Sequence, residues 1–362
     1  MRISVPTIPD ALLRTASASQ TISPRAAAER VAEFLAPGNV AVLTGAGVSV
    51  DSGIRAYRGA KGRYLNPNYK PIFYHELMDE TAKGAAYRRR YWLRSYIGYP
   101  PVRDALPNTT HYAFAALQYK SVVNKLITQN VDGLHHKAIA HVWSDTQMQD
   151  HIVELHGQLR SVRCLRGHLI DRDEFQQHLS AANPEWKAFM DDLEATGAQP
   201  RTNPDGDVVL GEGVRYDDFV VPDCPTCLAE GIHNNVQKPE VTFFGESISK
   251  EIKDRSYHDV EECDRLFMAG TTLATFSAFR LLKHALQLGK PVLLLNVGPT
   301  RADGLPEVEK IEIPSGSIMR EVVKAVLGSA HATDPVVGGM LQRGIVKPPP
   351  EDEDDAAPRA VG

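Results

Sequence analysis

The sequence LTGAGVSVDSGIRAYR, residues 43–58, follows a short apolar run and decides how the rest of the chain is interpreted. Val40 to Leu43 is typical of a buried strand, and the glycines at positions 45 and 47 turn the backbone sharply after it. We expect this turn to leave amide N–H groups free at the start of a helix, where they can bind a pyrophosphate. Glycine also serves tight turns that bind no phosphate, so the loop alone leaves the ligand undecided.

Polar residues follow three other apolar runs in the same way. The segment TQNVDGLH, residues 128–135, follows the run 122–127, His156 follows the run 152–155, and Gly270-Thr-Thr follows the run 265–269. Ligands of open α/β sheets bind outside the carboxyl ends of the strands. The pattern therefore predicts an α/β fold with a parallel sheet, and it places these polar segments at one edge of that sheet.

Taken together, these motifs resemble the sirtuin family, the NAD-dependent protein deacylases. The resemblance runs from about residue 24 to about residue 327, with the motifs in family order, and it includes Asn108, His111 and the segment 244–246. Residues 91–92 and 295–301 look most like the mitochondrial class II sirtuins. The resemblance implies a doubly wound, Rossmann-like NAD-binding domain and a smaller lobe that contains a zinc-ribbon-like module.

The resemblance also implies a role for individual residues. His156 would be the general base, because the ordinary pKa of imidazole lies near neutral pH, and Asn130 and Asp132 would be further catalytic residues. The alternative for His156 is a structural histidine, one among the 13 in the chain. The residues implied in cofactor binding are Gly45, Ala46, Gly47, Ser49, Tyr57, Arg58, Gln129, Asn130, Asp132, Gly270, Thr271, Thr272, Asn296 and Gly298. The residues implied in peptide binding are Val241, Phe243, Phe244 and Gly245.

The implied function is NAD-dependent deacylation of protein lysine, which releases nicotinamide and 2′-O-acyl-ADP-ribose. One alternative is protein mono-ADP-ribosyl transfer, and another is an NAD-binding scaffold with little turnover. The scaffold is motivated by Arg55 and Ala56, which stand where the family usually has proline and aspartate. The identity of the products separates these hypotheses.

Three of the four cysteines lie in the polar stretch 161–236 and suggest a metal site. Cys224 and Cys227 have metal-ligand spacing, but glycine stands where a second thiolate would accompany Cys164. In one interpretation His168 completes a Cys₃His site that binds structural zinc. In the other, the site has decayed and three thiols remain in a packed loop. The fourth cysteine, Cys263, is interpreted as a core thiol.

The arginine-rich run 87–94 has two interpretations as well. The simpler one is a solvated helix face with its aromatic residues packed inward. In the other, an arginine binds an acidic acyl group, since guanidinium pairs with carboxylate in a bidentate manner. By resemblance, Tyr87 with Arg90 or Tyr91 with Arg94 would have the required spacing.

The domain organisation follows from these assignments. We expect a flexible terminus or transit peptide at 1–23, and an acidic, disordered tail at 328–362. The NAD-binding domain is expected to comprise 24–58, 107–160 and 237–327, and the small lobe 59–106 and 161–236. The formal net charge of −5 gives no indication of nucleic-acid binding, and no apolar run approaches the roughly 18 residues of a membrane span. The class II resemblance favours the mitochondrial matrix over nucleus or cytoplasm for a soluble protein whose partner is an acylated protein or peptide.

Overall fold

The computed structural model describes residues 5–15, 22–58, 62, 71–196, 208 and 215–349. The strands are β1 Val40–Thr44, β2 Val123–Thr128, β3 Ile152–Glu154, β4 Gly157–Cys164, β5 Leu169–Asp171, β6 Gln237–Val241, β7 Arg265–Ala269, β8 Val292–Leu295 and β9 Val308–Ile311. The helices are α1 Asp10–Thr15, α2 Pro24–Leu35, α3 Tyr74–Leu77, α4 Ala82–Arg103, α5 Thr109–Tyr119, α6 Leu134–Ile139, α7 Asp145–His151, α8 Arg172–Ala182, α9 Pro184–Thr196, α10 Pro225–Ala229, α11 Lys250–Glu262, α12 Phe276–Gln287, α13 Ser315–Leu327, α14 Ala330–Thr333 and α15 Pro335–Gln342. None of the helices in these described ranges is long and apolar enough to span a membrane.

The larger sheet is parallel and has six strands in the order β3-β2-β1-β7-β8-β9. The chain builds outward from β1 on one side and from β7 on the other, so the strand order reverses between these two neighbours. Ligands of doubly wound sheets bind at this reversal, outside the carboxyl ends of the strands. The segments after β1 and β7 are therefore placed together, as the sequence predicted.

Both faces of this sheet are covered by helices, which accounts for the apolar residues that dominate the inner strands β1, β7 and β8. Val40 and Val42 of β1 pack into a core with α2, α5, α13 and α15. Ala41 and Leu43 point to the opposite face, into a core with α11 and α12. All five residues of β1 are buried, as expected for a strand inside a doubly wound sheet.

Helix α2 begins as the sequence predicted. Pro24 occupies the first turn, and the Ser23 side chain accepts a hydrogen bond from the N–H of Ala26. A serine cap of this kind is worth about 1 kcal/mol. The folded α/β domain therefore starts at this cap.

The smaller lobe combines α4 and α8 with an antiparallel sheet of three strands in the order β5-β4-β6. Trp92 and Phe175 are fully buried there and meet edge to face, with ring centroids 4.7 Å apart. The Trp92 indole N–H donates to the backbone oxygen of Gln237, 3.0 Å away. Strand β6 thus belongs to this lobe, which corrects the expected boundary at 237, because its pairing partner is β4 and not the parallel sheet.

Part of the N-terminal segment packs against the domain. Residues 10–15 form α1, and Ile8 is only 7% exposed. The structure differs from the expectation of a flexible terminus at these residues, because the apolar Ile8 side chain is buried.

The expected disordered tail from 328 is wrong for the residues up to 349. Val337 and Met340 on α15 are fully buried in the core beside α5 and α13. After this helix, the N–H of Ile345 donates to the oxygen of Pro107, and the N–H of Lys347 donates to the oxygen of Asp51. The apolar face of α15 explains this order, and the acidic run at 351–355 lies outside the described residues.

Candidate active site and metal centre

The carboxyl ends of β1 and β7 open onto a cavity of about 1980 Å³. Ordinary ligand pockets measure roughly 300–1,000 Å³, so this cleft has room for a large ligand and part of a second one. All the residues that the sequence assigned to catalysis, cofactor binding and peptide binding line it. The structure thus brings the three predicted sets together, while the role of each residue stays a prediction.

The loop after β1 is pressed against the loop after β7. The N–H of Gly45 donates to the oxygen of Ala269 at 3.1 Å, and the N–H of Gly47 donates to the oxygen of Gly270 at 2.9 Å. A Cβ on Gly47 would lie 2.7 Å from the Gly270 Cα, so nothing larger than glycine fits. The expectation of free amide groups at this turn does not hold for Gly45 and Gly47, because the backbone oxygens of Ala269 and Gly270 accept their hydrogen atoms.

Ser49 is the centre of a hydrogen-bonded polar group behind this loop. Its hydroxyl donates to Asp132 Oδ2 at 2.7 Å and accepts from Asn130 Nδ2 at 3.1 Å. Asn130 Nδ2 also donates to the oxygen of Gly45 at 3.1 Å. Burial raises the pKa of the Asp132 carboxyl, although the bonds from Ser49 and from the N–H of Leu134 oppose this shift. Asn130 and Asp132 therefore hold the loop against the end of β2.

His111 supports the same group from α5. Its Nδ1 accepts from the backbone N–H of Asn108, so Nε2 carries the hydrogen that points to Ser49 Oγ, 3.4 Å away. The Asn108 side chain caps α5 and donates to the oxygen of Val48 at 2.7 Å. Burial lowers the pKa of His111 to about 3, so the ring is neutral at physiological pH.

Gln129 links the two halves of the cleft through its side chain. The Nε2 group donates to the oxygen of Thr44 and to Thr271 Oγ1, and the Oε1 atom accepts from Thr275 Oγ1 at 3.1 Å. The backbone oxygen of Gln129 lies 3.2 Å from Nδ1 of His156. Burial lowers the pKa of His156 to about 4. A neutral imidazole, the form that can accept a proton, is therefore held at the floor of the cleft.

The predicted peptide segment after β6 is held in a turn. The N–H of Phe243 donates to Glu246 Oε2 at 3.0 Å, and Lys238 Nζ lies 3.1 Å from Glu246 Oε1. The oxygen of Phe244 accepts from the N–H of Tyr74 at 2.9 Å. Phe244 thus forms a bridge with Phe73, just before α3. The backbone oxygen of Phe244 is therefore already used, and an incoming peptide cannot pair with it.

The segment that follows β1 ends at two residues that face the N-terminal segment. Tyr57 and Arg58 line the cleft, as the resemblance implied. Arg58 Nη2 donates to the oxygen of Pro6 at 2.6 Å, and Arg301 Nη2 donates to the oxygen of Thr7 at 2.9 Å. The Arg58 guanidinium thus binds the N-terminal segment, and Arg58 also lines the cleft.

Neither tyrosine–arginine pair of α4 lies among the described residues that line the cavity. Tyr91 is buried and meets Phe243 edge to face, and the Arg94 guanidinium donates to the oxygen of Val208. The Arg90 guanidinium lies over the ring of Tyr216. The contacts favour the simpler interpretation for the aromatic residues, which pack inward. Arg88 departs from a solvated face, because it is buried and donates to the oxygen of Leu77.

The cysteine module brings four metal-ligating side chains together. The ligand atoms of Cys164, His168, Cys224 and Cys227 all lie within 4.8 Å of one another. Cys164 and Cys227 have their sulfurs 3.8 Å apart, and His168 Nδ1 lies 3.8 Å from the Cys224 sulfur and 3.3 Å from the Cys227 sulfur. A tetrahedron with zinc bond lengths of about 2.3 and 2.1 Å has edges of about 3.8 and 3.6 Å. The arrangement fits zinc and favours the interpretation in which His168 replaces the fourth thiolate.

The surroundings of the metal cluster match this assignment. Asn234 Nδ2 donates to the Cys227 sulfur at 3.4 Å, and a Glu230 carboxylate oxygen lies 3.9 Å from Nε2 of His168. Neighbouring polar groups of this kind orient metal ligands. A set of four protein ligands leaves no open coordination position, so a bound zinc ion would be structural.

Sequence reasoning missed several residues of the cleft. Thr275 and Ser277 stand at the start of α12, and the Ser277 hydroxyl lies 2.8 Å from Nε2 of His156. Hydroxyl residues are common at helix starts, where they serve as caps. Their presence there therefore does not indicate that they line a cleft. The terminal segments that line the cavity, including Pro6 and Pro348, carry no sequence signal that indicates it.

The fold and the site can be compared with known proteins. The model of the Sir2 family matches residues 45–277. The chain is 36% identical over 306 residues to "NAD-dependent protein deacylase SIR4" of Batrachochytrium dendrobatidis, covering 83% of this chain and 94% of that protein. It is 42% identical over 282 residues to the protein of the same name in Monosiga brevicollis, covering 77% of this chain and 82% of that protein. A crystal structure of a Sir2 homolog–NAD complex is similar with a TM-score of 0.55 and 26% identity, over 82% of this chain and 93% of that one.

Proposed function

Because this chain belongs to the Sir2 family, we propose that it is an NAD-dependent protein-lysine deacylase that releases nicotinamide and 2′-O-acyl-ADP-ribose. One observation carries the proposal. The residues predicted to act as base, cofactor site and peptide site line a single cavity, and a neutral histidine stands among them.

Polar side chains line the cleft at the place where a doubly wound sheet binds a dinucleotide. Asn130, Gln129 and Thr271 present amide and hydroxyl groups at the carboxyl ends of β2 and β7, and Asn296 follows β8. When bound, NAD supplies the electrophile, since loss of nicotinamide leaves positive charge at C1′ of the ribose, which the amide oxygen of acyl-lysine attacks. We assign Gln129, Asn130 and Asp132 to the nicotinamide and ribose end, and Thr272, Asn296 and Gly298 to the adenosine end.

His156 supplies the base. Its Nδ1 faces a carbonyl oxygen and therefore carries the ring hydrogen, so Nε2 has the lone pair that accepts the proton of a ribose hydroxyl. The low pKa keeps this nitrogen unprotonated at neutral pH. Loss of the hydroxyl proton makes the ribose oxygen a nucleophile toward the acyl carbon.

The substrate lysine enters beside the turn that follows β6. Phe243 and Phe244 line the cavity, and the Lys238–Glu246 ion pair fixes the turn that carries them. Apolar walls of this kind exclude water from the reacting groups. We assign the segment Val241–Gly245 to peptide binding on this basis.

Product analysis tests the function directly. The purified protein is incubated with NAD and with acetyl-, long-chain acyl-, dicarboxyl- and lipoyl-lysine peptides, and the products are measured by mass spectrometry. We expect an acyl-ADP-ribose from at least one peptide, which also identifies the acyl class. ADP-ribosylated protein without acyl-ADP-ribose would replace the proposal by mono-ADP-ribosyl transfer. NAD binding with no nicotinamide release would replace it by a scaffold.

We further propose that the protein is a class II sirtuin of the mitochondrial matrix. The proposal is supported by the class II resemblance of residues 91–92 and 295–301, and by a first 23 residues rich in Ser, Thr and Ala with a single acid. A fusion of residues 1–23 to a fluorescent protein should enter mitochondria of the source cells, and a fusion that starts at residue 24 should not. A cytoplasmic signal from both fusions would contradict the proposal.

A further inference from the structure

Among the described residues, Ser277 is the one whose side chain makes an observed hydrogen bond with Nε2 of His156, the nitrogen that carries the lone pair. Its Oγ lies 2.8 Å from Nε2 of the imidazole. Ser277 is the second residue of α12 and lines the cleft. The contact therefore lies where the base meets its substrate.

The direction of this hydrogen bond follows from the other side of the ring. The nitrogen Nδ1 lies 3.2 Å from the backbone oxygen of Gln129, and a carbonyl oxygen can only accept. In a neutral imidazole the hydrogen is then on Nδ1, and the lone pair is on Nε2. Ser277 must therefore be the donor, and its hydroxyl holds the lone pair that the reaction uses.

The contact is part of a closed set of hydrogen bonds. Thr275, the residue before α12, donates to Oε1 of Gln129 at 3.1 Å, while the backbone of Gln129 holds Nδ1 of His156. Ser277 on the same helix start then holds Nε2. Both ring nitrogens are thereby tied to elements that are fixed to each other, so the imidazole cannot turn without breaking a bond.

We propose that Ser277 is a positioning residue for His156, which fixes the ring orientation and tautomer of the base before substrate arrives. The proposal rests on the proposed function for its kinetic consequence. When a ribose hydroxyl approaches, its O–H replaces that of Ser277 at Nε2, and the proton passes from the ribose oxygen to Nε2. Ser277 keeps its own proton throughout.

Kinetics of Ser277→Ala test the consequence. We expect kcat for acyl-ADP-ribose formation to fall about 3- to 10-fold, as for the loss of one ordinary hydrogen bond, with an unchanged KM for NAD. Exchange of labelled nicotinamide into NAD should stay at the wild-type rate, because nicotinamide leaves before the base is used. Ser277→Thr keeps the hydroxyl and should recover most of the rate. The matched control is Ser317→Ala, which removes an exposed hydroxyl from the first turn of α13 and should change neither rate.

Nitrogen NMR tests the contact itself, whatever reaction the protein catalyses. In protein labelled with ¹⁵N-histidine, the signals of His156 are assigned by their loss in His156→Gln. We expect the tautomer with hydrogen on Nδ1, and a shift of the Nε2 resonance in Ser277→Ala but not in Ser277→Thr or Ser317→Ala.

The two tests separate the inference from the proposed function. Absence of acyl-ADP-ribose in the wild-type protein would overturn the proposed function. The NMR comparison would still show whether Ser277 donates a hydrogen bond to Nε2 of His156. An unchanged Nε2 resonance in Ser277→Ala would overturn the inference. An equal fall of deacylation and nicotinamide exchange in Ser277→Ala would also overturn it, since this indicates a general structural defect.

Discussion

The cleft and the cysteine module hold their polar side chains in different ways. In the cleft, the Ser49 hydroxyl bonds to both Asn130 and Asp132, which lie about 80 residues further along the chain, so these side chains hold one another without a ligand. In the module, the ligand atoms of Cys164, His168, Cys224 and Cys227 lie within 4.8 Å of one another, and the Cys227 sulfur is 3.8 Å from the Cys164 sulfur and 3.3 Å from Nδ1 of His168. The first arrangement is stabilised by the parallel sheet, and the second has the geometry expected for a bound metal ion. Substitutions should therefore affect chemistry in the cleft and folding in the module.

Among the substitutions that test this comparison, the largest effect is expected from Asn130→Ala in the cleft. The change removes the amide that donates to the oxygen of Gly45 and to Ser49 Oγ, and it frees the loop at the reacting end of the cleft. Misplacement by about 1 Å can cost about 100-fold in rate. We expect nicotinamide release to fall by at least this factor, with the circular dichroism spectrum unchanged.

The matched control for this change is Asn235→Ala. Asn235 is an exposed asparagine outside the cleft, and its loss should leave nicotinamide release unchanged. Equal rates for Asn130→Ala and Asn235→Ala would contradict the assignment of Asn130.

In the module, Cys227→Ser should act through the metal. We expect about one zinc ion per chain in the wild-type protein and essentially none in the variant, with a lower unfolding temperature, because binding energy at a structural site is folding energy. Metal analysis and a thermal melt measure both. Cys263→Ala, which removes a buried thiol outside the cluster, should keep the zinc. Equal zinc content in wild type and Cys227→Ser would show that the cluster is not a metal site.

A glycine pair measures how strongly the two loops of the cleft depend on close approach. Gly270 and Gly289 both have left-handed backbone angles, with φ of +59° and +68°. A Cβ on Gly270 would lie 2.5 Å from the nitrogen of Val48, whereas a Cβ on Gly289 would meet nothing within 4 Å. Gly270→Ala should lower the free energy of unfolding by about 1–3 kcal/mol more than Gly289→Ala in urea titrations. Equal losses would mean that the loops are not packed as described.

The smallest effect concerns the pH dependence of stability. The pKa of His156 is about 4 in the folded protein, and a histidine in the unfolded chain has a pKa of about 6.5. Above pH ~6.5 neither state binds this proton. Between the two pKa values only the unfolded state binds it, so stability falls as the pH decreases, by at most ~1.4 kcal/mol per pH unit. Urea titrations at pH 7.5 and 5.5 should show a smaller loss in His156→Gln than in the wild type, and equal losses would contradict the assigned burial.

The order of the cleft segments could be predicted from sequence, because each segment follows an apolar strand. Gly45, Gly47 and His156 were assigned to the cleft in this way, and the strand reversal beside β1 brings them together. The reason for the glycines could not be predicted. Local sequence indicates a sharp turn, but the partner backbone, that of Gly270, approaches from a strand far along the chain.

Other features of the structure could not be predicted, because the local sequence does not indicate them. Helix α15 is short and contains Gly338 and Gly339, so its pattern is weak although Val337 and Met340 are fully buried. The role of Ser277 depends on the direction of a histidine ring on another element. Such relations are set by tertiary packing, and only the folded structure reveals them.

The most direct measurement of the central claim compares two activities of His156→Ala, namely nicotinamide exchange and acyl-ADP-ribose formation in the presence of an acyl-lysine peptide. If His156 is the base that acts after nicotinamide has left, the variant should retain exchange and form essentially no acyl-ADP-ribose. Formation of acyl-ADP-ribose at the wild-type rate would contradict the claim. Loss of both activities in a folded variant would contradict it as well, because His156 would then be needed before the step assigned to it.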